Sequence, residues 1–501
     1  MIIGNVPAGP TDLVRQLVNL AVNAGRSLQS SQTGYIHYCH RVLDYPNFDT
    51  IPVVENFLFA LSLLRERTAE SFAEGKALVD KLRHFQHASG NFPVYLHEFP
   101  ECKDYYTAVH LLPIFYWILR TFPLVLGSPL RDEFQQTVER SFDYCLKLKE
   151  EKLPFIISLK LACGVKALAN LWERQDIEKQ AEQWLDELRI ESESPGFSGW
   201  LIPETLGEAL VCLEMVYGEI VNSPWANVWQ CLQTVWYQRT ASYVGPGYRD
   251  YQFREQPEVT LLDLVAGFHT GIYSYRALLN GPHMLQSALI HPTDEKLEPL
   301  TLPRVDEGTV AGRRWYQETQ DLCAFSALEK HIPDPSRDNA YSAFRLLWGN
   351  LNCAHTFVCQ GGNVERAEFR VVEGGVDLIL YLPAEVPGEA RQRNREVMFA
   401  LDAHDDVSFI VANLAAASTF QLGEEVLIKS GAMTISLKIT LDSGAGQFFG
   451  HITKGNRTSQ KHTTGDGRFK SYDWQLFLRT VERHQQCSLR AEVRFKHEEP
   501  K

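Results

Sequence analysis

The sequence predicts an α+β chain of two domains, an α/α toroid followed by an antiparallel β-sandwich. Three observations carry this reading. Apolar residues recur with a period near 3.6 in the first part of the chain and alternate with a period of 2 in the last. A stretch rich in Pro, Asp and Glu, over about 282–312, separates the two and includes His291-Pro292-Thr293-Asp294-Glu295, Pro299 and Pro303. Long connections between helices fall at alternate positions. Together these place the toroid at 1–290, a connector at 291–311 and the sandwich at 312–501.

Helices are expected over 10–29, 50–67, 69–88, 104–121, 130–149, 154–173, 175–190, 203–218, 223–240 and 258–280. Val53, Val54, Phe57, Leu58, Leu61 and Leu64 recur at threes and fours, and Phe72, Leu78, Leu82 and Phe85 continue the rule on the next helix. Start signals stand at Asp49 and Thr50, Ser128-Pro129 and Ser223-Pro224. Beyond the connector, runs such as 343–348, 376–381, 434–439 and 489–495 are each bounded by Gly, Pro or Asn. Roughly a dozen short strands with close turns make a sandwich.

Composition narrows the function. With 45% hydrophobic and 22% charged residues in 501, the chain is an ordinary globular one. Its 62 acidic against 49 basic residues, a net −13, oppose a phosphate-neutralising surface, so no nucleic-acid partner is expected. The start, Met1 to Gly9, is too short and polar for a signal peptide, and no apolar run approaches the ~18 residues that cross a membrane. A cytoplasmic protein with no membrane partner is expected. Ten scattered cysteines without C-x-x-C suit reduced, buried thiols, with Cys353 and Cys359 on one face of a strand. Nucleotide and serine-hydrolase motifs are absent, and His37-x-x-His40 and His84-x-x-His87 lack a third ligand, so no cofactor or metal is expected.

The connections near 68, 122–129, 174 and 219–222 are short, whereas those at 30–49, 89–103, 191–202 and 241–257 are long. If successive helices are antiparallel, every long loop emerges at one end, where binding and catalysis usually sit. The first long loop holds Tyr35, His37, Tyr38, His40 and Tyr45, and the second runs through Asn91, Tyr95, His97, Glu98 and Asp104. The third offers Phe197, Trp200 and, just beyond, Glu204; the fourth is 245–255, with Tyr248, Arg249, Asp250, Tyr251 and Arg254. Rings interleaved with carboxylates, His and Arg suit a sugar, which presents an apolar face to stack on and a rim of hydroxyls. The alternative is that these rings pack the loops together. An oligo- or polysaccharide, with an acidic one favoured, is the expected partner.

The run Gln86-x-x-x-Gly90-Asn91-Phe92-Pro93-x-Tyr95 resembles the Gln/Gly/aromatic turn of α/α-toroid proteins. The order of toroid and sandwich, over nearly the whole chain, resembles the heparinase II/III-like and related polysaccharide lyases. The resemblance implies β-elimination on a uronate-containing glycan, which needs a neutralised carboxylate, a base for the adjacent proton and an acid for the leaving oxygen. In that chemistry Tyr248 or Tyr95 is the proton-transferring phenol, His97 or His269 its partner, Asn91 the carboxylate neutraliser, and Arg249 or Arg254 an anion clamp. His269 also reads as a satisfied core histidine, and Arg249 with Asp250 as a local ion pair. Trp200, Tyr251 and Glu204 are further substrate contacts. The competing reading is a glycoside hydrolase drawing two carboxylates from Glu98, Asp104, Glu204 and Asp250. A third is a toroid that binds glycan or protein without catalysis.

Overall fold

The computed structural model describes residues 10–38, 50–149, 151–194, 197, 199–245, 260–273, 282–291, 307–310, 313–319, 323–328, 342–351, 353–360, 364–384, 397–402, 407–415, 417–454, 474–483 and 485–497. The chain forms two compact units. One comprises Met1–Trp200, Glu204–Leu232 and Val259–Thr301; the other comprises Leu201–Pro203, Gln233–Glu258 and Leu302–Lys501.

The first unit is a ring of two kinds of helix. Helices α2 (Val53–Glu66), α4 (Thr107–Thr121), α7 (Phe155–Leu171), α9 (Pro203–Tyr217) and α11 (Leu261–Thr270) are apolar on every side. Such a helix is stable only with packing all round it, which sets these on the inside. Helices α3 (Ala69–Arg83), α6 (Ser128–Leu148) and α8 (Gln175–Ser192) each bury a single stripe, such as Leu78, Val79 and Leu82 on α3, and form the outer layer. Residues 67–68 link α2 to α3 and 172–174 link α7 to α8, and the short α5 (Pro123–Leu126) leads from α4 to α6, so these inner helices turn back along outer partners and pack on them. Glycines bring inner helices close. A Cβ on Gly164 of α7 would lie 2.6 Å from Leu112 Cβ of α4, and one on Gly207 of α9 would lie 2.4 Å from the Leu262 nitrogen of α11.

The ring closes on itself. The 3-10 segment Pro282–Leu289 packs against α1 (Pro10–Leu28), α2 and α11, where Ser287 Oγ donates to the Leu17 carbonyl at 2.8 Å. The first residues of the Pro-rich stretch therefore belong to the helical ring. Helix boundaries otherwise follow the apolar periodicity to within a few residues, with two exceptions. The helix expected over 258–280 ends at Thr270, where Gly271 takes the left-handed φ of 68° that closes α11. The helix expected over 223–240 stops at Val235 as α10 (Ala226–Val235). Strands β1 (Trp236–Tyr237) and β2 (Ser242–Tyr243) then form a hairpin turning through Ala241 at φ 44°. Its residues pack with the second unit: Tyr237 and Val244 cluster with Ala324 and Leu347, and Arg345 donates to the Tyr243 carbonyl at 3.1 Å. That burial overrides the local helical pattern.

The rest of the second unit is two antiparallel sheets. The nine-stranded sheet contains β3 (Glu307–Val310), β4 (Arg313–Thr319), β5 (Cys323–Leu328), β6 (Ser342–Asn350), β7 (Cys353–Gln360), β10 (Val397–Asp402), β13 (Thr419–Phe420), β16 (Gln447–Lys454) and β17 (Trp474–Glu482). Its order is β13-β16-β17-β10-β7-β6-β5-β4-β3. The seven-stranded sheet contains β8 (Arg366–Val372), β9 (Gly375–Leu382), β11 (Ser408–Val411), β12 (Leu414–Ala415), β14 (Glu425–Ser430), β15 (Met433–Ser443) and β18 (Cys487–His497). It runs β12-β11-β14-β15-β18-β9-β8. Alternation supplies the core: Met433, Ile435, Leu437 and Ile439 of β15 point inward beside Ala491, Val493 and Phe495 of β18. Phe495 meets Phe325 of the opposite sheet with ring centroids 5.1 Å apart. The strand β3 begins at Glu307, inside the stretch read as connector. Among the described residues no helix is long and apolar enough to cross a membrane.

Candidate functional site

The first two long loops meet at the start of α2. Val53 N donates to the Val94 carbonyl and Leu96 N to the Ile51 carbonyl, both at 2.9 Å. Tyr38 N donates to Thr50 O, and Asn56 of α2 holds Ile36 by both its backbone groups at 2.8 and 3.0 Å. Asn56 is wholly buried, so an amide that satisfies two loop groups replaces the water they would otherwise need.

Side-chain contacts fix the direction of the inner helices. His110 of α4 meets Lys160 of α7, and Leu112 faces Gly164, so both contacts advance together along the two helices. Gly207 faces Leu262 and Glu214 meets His269, which makes α9 and α11 parallel as well. The N-terminal ends of α4, α7 and α9 thus lie together, and three of their side chains form a connected set. Lys160 Nζ is 3.0 Å from His110 Nδ1 and 2.5 Å from Glu208 Oε1. Lys160 is only 8% exposed, and a buried ammonium persists where a carboxylate balances it. Donation from the ammonium puts a lone pair on Nδ1 of His110, so the neutral ring carries its proton on Nε2 as a donor. Glu204 stands one helical turn before Glu208 in the first turn of α9.

Deeper along the same helices the polar groups are paired off. His269 Nε2 lies 2.5 Å from Glu214 Oε1 with Trp229 edge-on to its ring, the arrangement of a satisfied interior histidine. Tyr217 donates to Glu182, which also pairs with Lys166; burial pushes the Tyr217 hydroxyl up to about 12 and lowers the Lys166 ammonium.

The residues expected from sequence fall into three groups. Several hold the loops. Asn91, 2% exposed, donates to the Asp104 carbonyl at 2.7 Å and accepts from Ala108 N at 2.9 Å, tying the second loop to the start of α4. Glu98 accepts from the backbone of Val94 and Tyr95 at 3.1 and 3.4 Å, and Asp104 accepts from Tyr106 N at 2.7 Å. Trp200 is 1% exposed and packs edge-on against Phe155 and Phe197. Tyr95 is buried, stacked on His97 with centroids 5.7 Å apart, and His97 itself is exposed. A second group, Glu204 and His269, sits on inner helices. The third, Tyr248, Arg249, Asp250, Tyr251 and Arg254, lies outside the described residues.

Sequence reasoning passed over His110, Lys160 and Glu208. The available signal was a single charged or imidazole side chain inside an otherwise apolar helix, as in Ile157-Ser158-Leu159-Lys160-Leu161, where burial demands a partner. Among the described residues no group of three or more His, Cys, Asp or Glu is placed to hold a metal ion.

No family model matches the chain, and no curated protein does. Solved structures are similar to it over most of its length. They include a heparinase III, with a TM-score of 0.45 at 9% identity, covering 98% of this chain and 85% of that one. A chondroitinase AC lyase seen in oligosaccharide complexes gives 0.42 at 9% identity, over 98% of this chain and 84% of that one. A mutant heparan sulfate lyase of Pedobacter heparinus gives 0.41 at 10%, over 99% and 86%.

Proposed function

We propose that the chain is a carbohydrate-active enzyme that cleaves a uronate-containing glycan by β-elimination at the loop end of its helical ring. The observation that carries this reading is the set His110, Lys160 and Glu208 at the N-terminal ends of α4, α7 and α9. Lys160 and Glu208 balance each other and, with His110, place hydrogen-bonding groups suited to a uronate carboxylate or a sugar hydroxyl at that end. Tyr248 is the proton-transferring phenol in this proposal, since the other candidate, Tyr95, is buried beneath His97. Arg249 and Arg254 are assigned to the acidic substrate on the same basis as before.

Hydrolysis is the second reading, and one observation favours it. Glu204 and Glu208 stand at i and i+4 on α9, spacing that brings two carboxylates to one face of the helix. Glu98 and Asp104 are weaker members of that reading, because both are committed to backbone N–H groups.

Incubation with a panel of uronate-containing oligosaccharides separates the readings. Ultraviolet absorbance from new unsaturated sugars, lost in His110→Phe and Tyr248→Phe, is the expected result. New reducing ends without that absorbance would establish hydrolysis. Retained glycan binding with neither signal would leave a non-catalytic toroid.

A further inference from the structure

The opposite ends of α2 and α4 carry a different arrangement. Arg65, in the last turn of α2, is buried and donates to the carbonyls of Ala288 at 2.7 Å and Ser287 at 3.4 Å. Arg67 ends the helix at φ 61°, a left-handed conformation that glycine adopts with less strain. Arg120, in the last turn of α4, donates to the Tyr116 hydroxyl and lies 5.9 Å from the centroid of the Trp117 ring. Trp117 stacks on His291, centroids 3.8 Å apart and 8° from parallel.

Arg65 and Arg120 thus stand close to one imidazole, and Arg67 adds its charge to theirs. Burial chiefly, and then Arg65, Arg120 and Arg67, hold His291 well below its ordinary proton affinity; burial and Arg67 lower Arg65 to about 10. Among the described residues no carboxylate pairs with any of the three; the nearby Glu66 accepts from Ser71 instead. Two helix C-termini contribute roughly half a negative charge each, which offsets about one of three positive charges. Among the described residues the buried Nε2 of His291 and Nε1–H of Trp117 have no hydrogen-bond partner, and Trp117 is only 7% exposed. Uncompensated like charge beside two unsatisfied buried polar atoms is unfavourable unless an anion completes the cluster.

We propose that this cluster is a phosphate-binding site, in which Arg65, Arg67, Arg120 and the Trp117 N–H donate to the anion's oxygens and His291 Nε2 accepts its P–OH hydrogen. A phosphate group supplies about −1.5 to −2 of charge and three strong acceptor oxygens, matching the donors present. Nε2 of His291, unpartnered among the described residues, accepts that hydrogen when the neutral ring carries its own proton on Nδ1. Sulfate has the same shape but retains no proton near neutral pH.

Titration calorimetry on the full chain tests the site with inorganic phosphate, phenyl phosphate and inorganic sulfate. One phosphate should bind per chain. Inorganic phosphate keeps a P–OH at about pH 7.5 whereas phenyl phosphate is almost wholly the dianion, so the free anion should bind more tightly, and equal or tighter binding of phenyl phosphate would overturn the role of His291. The exposed Arg67→Gln and Arg120→Gln should each weaken binding about tenfold or more, and together abolish the phosphate-dependent rise in Tm without lowering Tm in the absence of phosphate, since they relieve like-charge repulsion. Absence of binding to either phosphate up to about 10 mM would overturn the proposal, as would unchanged affinity in both variants. So would sulfate binding as tightly as phosphate.

Discussion

The two ends of the inner helices treat charge in opposite ways. At the N-terminal end Lys160 is matched by Glu208 and relayed to His110, so every charge in the set has a counter-charge. At the C-terminal end Arg65, Arg67 and Arg120 add their charge near an imidazole and an indole with no carboxylate paired to them among the described residues. Matched charge fixes a side chain in place; unmatched charge calls for a ligand. The same scaffold therefore has one end organised from within and another completed from outside.

Four experiments break or sharpen that contrast. The largest effect should come from Lys160→Met, which leaves a three-quarters-buried Glu208 carboxylate unpaired and should lower stability by about 3 kcal/mol in urea unfolding. A loss below about 0.5 kcal/mol would mean the charges at the loop end are not coupled. Gly207→Ala comes next. Its Cβ would meet backbone at Leu262, which cannot rotate aside, so about 2 kcal/mol should be lost together with activity, while phosphate binding at the far end persists. Loss of both functions would show that the ends are not independent.

The third concerns pH. Because the folded state holds His291 neutral below its ordinary pKa, only the unfolded chain takes up the proton as pH falls through about 6.5. His291 therefore lowers stability on acidification, by up to about 1.4 kcal/mol per pH unit over that window, and its effect vanishes above it. His291→Phe, which keeps the stack on Trp117, should flatten the fall in Tm between about pH 7.5 and 5.5. An unchanged slope would place the proton elsewhere. The smallest effect is expected from His97→Ala. The side chain is exposed, so stability should change by under about 0.5 kcal/mol, and any loss of turnover would then mark a substrate contact.

Much of the ring was legible in the sequence because inner and outer helices differ in pattern. Leu58, Phe59 and Ala60 in unbroken succession require a helix covered all round, whereas α3 alternates buried Leu78 with exposed Lys81 faces in the ordinary amphipathic way. Loop lengths correctly brought the first two loops together. The hairpin at 236–243 was hidden, since Trp236 and Tyr237 continue a helical spacing and only contact with Ala324 and Leu347, far along the chain, decides otherwise. Asn91 and Glu98 carry polar groups in a loop, which reads as a site; the sequence does not reveal that their partners are backbone N–H groups. Lys160 was overlooked for the converse reason, as a lone cation in an apolar helix whose partner is 48 residues away.

The contact of Ser287 with Leu17 spans 270 residues, and it has a bearing on how the chain is made. Early contacts such as α2 on α3 are local and can form as soon as their residues leave the ribosome. The face of α1 and α2 that packs against Pro282–Leu289 must wait for that segment. During synthesis it stays uncovered for some 220 residues after α2 emerges, an interval of tens of seconds at about 5–20 residues per second. Nascent chains halted before residue 282 should accordingly recruit chaperones that grip apolar surface, and those halted well beyond it should shed them.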